Sequence, residues 1–218
     1  MDKISAFFQE PSAWLTMASV VIALIALFQT YYQTKLGNKH QLFDRRVKIY
    51  LLFTTLLQLY KEQSSVLGLQ RKISYRGSEL FVWLTNCSNL EDMAEAIGKP
   101  LHSEEHKNLL VKCERLRNAS VEASMIFDSE VGKITSDFIK TYSYFLKALY
   151  QQQLYLARRE KDEQGEPPRV EDYIKDSHKM AEDLNLYKMN DRLDGLVKEI
   201  DDKKIVKKLK REISLLRQ

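Results

Sequence analysis

From Pro11 to Thr34 the chain carries no charged residue, and its centre, "AWLTMASVVIALIALF" (Ala13–Phe28), is almost wholly apolar. Beyond it the apolar positions become periodic. Leu42, Phe43, Val47, Tyr50, Leu51, Leu57 and Tyr60 recur at three- and four-residue steps, the spacing of one helix face. A second stripe, Leu109, Cys113, Leu116, Ser120, Ala123 and Phe127, steps by four and three. A third, Val131, Ile134, Phe138, Tyr142, Phe145, Leu149 and Leu156, predicts a long helix ending near Arg159.

Punctuation divides these stripes. "LGN" (Leu36–Asn38) reads as a break or a helix end capped by Gly37. The region from Ser64 to Ser78 is ambiguous, with Ser78 able to cap a short helix through "ELFVWLTN". "SNLE" (Ser88–Glu91) has capping-box spacing, and Gly98 followed by Pro100 stops that helix. Ser103 in "HSEEH" is the expected N-cap of the next. "EKDEQGEPPR" is charged and holds paired prolines, as a linker would. After it, "VEDYIKDSHKMAEDLNLY" reads as one helix and the rest of the chain, from "NDRLDG", as another. The expected layout is a short external N-terminus (1–10), a transmembrane helix (11–34), a cytoplasmic helical bundle (35–160), a linker or exposed loop (161–169) and C-terminal helices with a basic amphipathic end (170–218).

Seven Gly and four Pro in 218 residues are few, which with many Leu, Lys, Glu and Tyr points to an all-α protein. A helix needs about 20 residues to cross the hydrocarbon layer, so the uncharged window suffices. Trp14 stands near one end and Tyr31 and Tyr32 near the other, where aromatic rings prefer the headgroup level. A cleaved signal peptide fits less well: Asp2 and Glu10 outnumber Lys3 ahead of the window, and bulky "FQTYYQT" follows it. The basic residues Lys35, Lys39, Arg45, Arg46 and Lys48, against Asp44 alone, put the C-terminal part in the cytoplasm by the positive-inside rule, with the span in the inner membrane. Arg45 and Arg46 are expected to face lipid headgroups or a neighbouring acid. Cys87 and Cys113 lie in segments read as helical and are expected as reduced thiols.

Candidate chemistry is sparse. His102 and His106 in "HSEEH" lack the Glu that a zincin helix needs after its first His, so no metal is expected. There is no phosphate-binding glycine loop and no G-x-S-x-G, so no cofactor is expected either. Small helical ribonucleases of the HEPN group use R-x4-H; the nearest approach is "RNASVE", Arg117 to Glu122, with a carboxylate in place of the imidazole. These two are the only catalytic candidates, and a solvated helix face is the plainer account of them. Near the C-terminus, "KKIVKKLKR" sets six cations, Lys203, Lys204, Lys207, Lys208, Lys210 and Arg211, opposite Ile205, Val206, Leu209, Ile213 and Leu216. That pattern fits a packed helix with a solvated outer face, a membrane-surface helix or a nucleic-acid footprint.

At "LFDRRVKIY" and again at "SMIFDSEVGKI" the chain resembles a widespread group of small bacterial single-pass membrane proteins, which carry two such blocks in this order after a transmembrane helix. The resemblance covers roughly residues 12 to 158. A weaker likeness is to membrane accessory proteins of type VI-B CRISPR systems, which implies one anchor, a degenerate HEPN-like helical domain and assembly into a membrane pore for antiviral defence. The expectation is therefore a non-enzymatic, membrane-anchored protein that acts by self-association, with the lipid bilayer and further copies of itself as partners. The alternatives are a HEPN-like RNA-binding or ribonuclease accessory protein and a simple anchor that recruits a cytoplasmic partner.

Overall fold

A computed structural model of the chain describes residues 11–73, 77–162 and 170–215, and all the regular structure among them is helical. The elements are α1 (Pro11–Ile73), α2 (Gly77–Thr85), a 3-10 turn (Glu91–Ala96), α3 (Glu104–Ile126), α4 (Ser129–Asp162), α5 (Val170–Asp183), α6 (Leu186–Asp202) and α7 (Ile205–Leu215). Two compact units result, Met1–Asp44 and Arg45–Gln218. In the first unit, every described side chain from Trp14 to Gln41 is exposed.

The second unit is a bundle around α4, which packs against α2, α3, α5, α6 and α7. The predicted stripe of α4 lies on its buried face: Val131, Ile134, Phe138, Tyr142, Phe145, Leu149 and Leu156 are all inside, joined there by Ile139, Leu146 and Tyr150. Phe138 is the aromatic centre, edge-on to Phe53 at 5.5 Å and to Tyr60 at 6.4 Å, with Tyr142 at 6.0 Å. Such pairs add about 0.5–1.5 kcal/mol each beyond the area they bury. The predicted stripe of α3 is likewise inside, from Leu109 to Phe127. Ser103 caps α3 by accepting the His106 amide at 3.3 Å. Gly98, at φ 75, ends the segment after the 3-10 turn, a conformation that glycine adopts without a Cβ clash. The α3–α4 corner is tight: a Cβ on Gly132 would lie 2.9 Å from the Ala123 carbonyl oxygen.

Several expectations are corrected. Helix α1 runs through Leu36–Asn38 without a break, because one glycine costs only about 1 kcal/mol inside a helix. Its buried stripe is Ile49, Phe53, Leu56, Leu57 and Tyr60, so Val47 and Tyr50 lie half-buried beside it and Leu51 faces out. Ser78 lies inside α2, which begins at Gly77, and Cys87 falls beyond its end. "SNLE" opens a 3-10 turn at Leu90 with no side-chain cap bond, not an α-helix. The C-terminal part forms three helices rather than two, divided where Asn185 (φ 56) and Lys204 (φ 54) take the left-handed conformation. The expected external N-terminus and most of the 161–169 linker lie outside the described residues.

Candidate functional site

Three features of the chain have functional potential: the apolar segment, the arginine pair after it, and a groove on the bundle. The first belongs to one unit and the others to the second.

The N-terminal part of α1 is long and apolar enough to cross a membrane, and none of that stretch is buried within the protein. Trp14, Leu15, Ile22, Leu24, Leu27 and Phe28 are among its exposed side chains, as are Tyr31 and Tyr32. Three of its hydroxyls bond back to the helix: Ser19 donates to the Leu15 carbonyl, Thr30 to Ala26 and Thr34 to Thr30, each at 2.8 Å. Back-bonding of this kind is what lets polar side chains sit in a medium without water. Lys35, Lys39 and Lys48 are exposed as expected.

The arginines divide. Arg45 is 63% exposed and lies 3.8 Å from Glu122 on α3. Arg46 is turned into the bundle, towards an acid on α7 rather than towards lipid, the second of the two settings expected for it. Its Nε donates to the Ile126 carbonyl at 2.6 Å and its Nη1 to the Glu212 carbonyl at 3.1 Å. Its Nη2 stands 3.8 Å from the Glu212 carboxylate, and the guanidinium lies 5.4 Å from the centre of the Phe127 ring. Glu212 also accepts the Asp128 amide at 3.2 Å. Burial pushes the Glu212 carboxyl above its usual range, against the lowering effects of the Asp128 amide and Arg46. The guanidinium fork thus joins α1, the α3–α4 corner and α7, a role for which lysine lacks the donors. The two sequence blocks meet here, Arg46 from the first against Ile126 and Phe127 of the second. The signal was present in the sequence: Arg46 is in step with Ile49, Phe53 and Tyr60 on the buried face.

The catalytic candidates are not brought together. Five residues along a helix turn through about 140° beyond one full turn, so Arg117 and Glu122 leave α3 on different faces. Glu122 faces Arg45, while Arg117 lines a groove of about 480 Å³ between α3 and α4. Leu101, Leu110, Val111 and Tyr144 are exposed along that groove, with Glu114, Arg117 and Lys147 among its charged residues. Its polar floor is occupied: His106 Nδ1 lies 2.8 Å from the Tyr150 hydroxyl, which itself donates to the Ala96 carbonyl at 3.3 Å. Cys113 beneath is a free thiol whose pKa burial raises, outweighing Arg117 and Lys147, so it stays protonated and a poor nucleophile. Sequence reasoning missed this groove, since each of its apolar residues is an isolated outward position.

The basic run is also divided. Lys203 and Lys208 both reach Glu130, at 3.1 and 3.0 Å, and Lys203 also meets Glu199 at 2.9 Å. Lys204, Lys207, Lys210 and Arg211 are exposed. Comparison of the chain with protein-family models, with curated proteins and with solved structures finds no match.

Proposed function

We propose that this protein is a non-enzymatic, membrane-anchored helical module that acts by self-association. Residues 11–34 cross the inner membrane once, the N-terminus lies outside, and the helical unit from Arg45 onward works in the cytoplasm. The exposed apolar run of α1, flanked by Trp14 on one side and by Tyr31, Tyr32, Lys35 and Lys39 on the other, supports the anchor.

The α3–α4 groove is the observation that carries self-association. Leu101, Leu110, Val111 and Tyr144 leave an apolar strip open to solvent along a concave surface of the bundle. Its rim carries both signs, Glu114 against Arg117 and Lys147, so a second copy related by a two-fold axis could set the acid of each against the cations of the other. Outward Val121 and Met125 extend the apolar face of α3. A multi-copy pore or defence effector is the form suggested by the resemblance of the two sequence blocks.

Native mass of the full chain in detergent micelles or lipid nanodiscs tests this. The expected result is a multiple of 25.6 kDa. Leu110→Glu, a substitution at an exposed position, is expected to shift it towards the monomer. A wild-type monomer at micromolar concentration would overturn the proposal.

A further inference from the structure

The outer face of α7 holds cations that the fold neither pairs nor favours. Ile205 and Leu209 are buried against the bundle and Glu212 is turned inward to Arg46, so the helix has already used its apolar side and its one acid. Of the six cations in the run, Lys203 and Lys208 are joined to Glu130. Lys204, Lys207, Lys210 and Arg211 remain exposed, and Lys210 and Arg211 lie three and four residues beyond Lys207, its neighbours on the helix surface. Leu215 next to them is exposed as well. Among nearby acids, Asp201 is joined to Lys61, and Asp202 precedes the helix.

This arrangement works against the helix that carries it. Lys207 falls in the first turn of α7, where the helix dipole disfavours a cation, and no acid stands there to compensate. Like charges at helical neighbour spacing repel one another. An anionic surface outside the protein would relieve both penalties.

We infer that the Lys204–Arg211 face of α7 is a peripheral contact for anionic lipid headgroups at the inner leaflet, which rests on the membrane reading above. Two observations favour lipid over nucleic acid. No aromatic residue lies between Lys203 and Gln218, so the face has no stacking platform for unpaired bases. And Arg46, only twelve residues beyond Thr34 in the sequence, holds α7 through Glu212, so the basic helix is packed onto the start of the unit that begins at Arg45. Because Ile205 and Leu209 are committed to the core, the contact is electrostatic rather than inserted, and salt should weaken it.

The test is amine acylation of the full chain in nanodiscs, read by mass spectrometry at each lysine. Discs of phosphatidylcholine alone are compared with discs holding about 30% phosphatidylglycerol, at low and high salt. Lys204, Lys207 and Lys210 should react about threefold more slowly in the anionic discs at low salt, and the protection should vanish at high salt. Exposed Lys133 and Lys188 should not change. Equal rates in both discs would overturn the inference while leaving the anchor intact. Protection of the same lysines by added RNA in phosphatidylcholine discs, with none from phosphatidylglycerol, would reassign the face to nucleic acid. A chain that fails to enter either disc would remove the anchor and this inference together.

Discussion

Arg46 on α1 and Glu212 on α7 meet across 166 residues of sequence, the guanidinium donating to the Glu212 carbonyl and facing its carboxylate. Their side chains are only 16% and 12% exposed. Arg46→Ala would strand the Ile126 carbonyl and the Glu212 carboxylate in a partly buried place, at a cost of about 2–4 kcal/mol. Arg45→Ala, which removes an exposed pair at 3.8 Å, should cost under about 1 kcal/mol. Thermal unfolding of the full chain in detergent, followed by circular dichroism, checks the difference. Equal losses would mean that Arg46 does not join the three elements.

The α3–α4 corner leaves no room for a methyl group. Gly132→Ala would drive a Cβ against two backbone carbonyls, at 2.9 and 3.1 Å, and should destabilise by about 1–3 kcal/mol. Gly195 on α6 has nothing within 4 Å of such a position, and Gly195→Ala should stabilise by about 0.5–1 kcal/mol. Denaturant midpoints of the two variants should therefore move in opposite directions.

Phe138 fills the space between α1 and α4. Phe138→Ala should cost about 3–5 kcal/mol, seen as a lower midpoint or a failure to accumulate folded protein. Phe138→Leu keeps most of the volume and should lose less, which separates cavity formation from misfolding.

Two acids should act in opposite directions as pH falls. Hydrogen bonds from Lys208 and Lys203 hold the Glu130 carboxyl below its usual 4.5, so its pairing contributes stability above 4.5 that is lost as pH falls through its folded value. Glu212 is raised by burial, so ionising it costs stability in the folded state, and protonation below its folded value recovers that loss. On the alkaline side, hydrogen bonds to Glu199 and then Glu130 raise Lys203 above 10.5, and its contribution disappears as pH rises through that folded value. Glu130→Gln should therefore flatten the acid limb of the stability profile between about pH 5 and 3, measured by urea unfolding.

The helices of the bundle were readable where long apolar stripes ran without interruption. Every residue of the two periodic stripes in α3 and α4 is buried, although α4 also buries Ile139, Leu146 and Tyr150 outside its stripe, and Ser103 acts as the N-cap that its letter suggests. Shorter signals were less reliable. Asn185 tolerates the left-handed conformation and left a faint mark, whereas Lys204 has no side-chain chemistry that would announce a helix break. The capping-box letters at Ser88–Glu91 occur where too few residues follow before Gly98 for an α-helix to repay its nucleation. For Arg46 the sequence allows lipid or a neighbouring acid, and phase decides between them: its place in the Ile49–Phe53–Tyr60 register marks it as inward-facing, where Glu212 meets it. The groove was illegible because it is made from single outward residues on three segments, which only the packing brings together.

Membrane separation of the expressed full chain is the most direct test of the span on which the proposed function stands. After alkaline carbonate washing, the native chain should stay with the membrane pellet and float with vesicles, while Ile22→Arg/Ile25→Arg should move to the supernatant. Recovery of the native chain in the supernatant would contradict a span across residues 11–34.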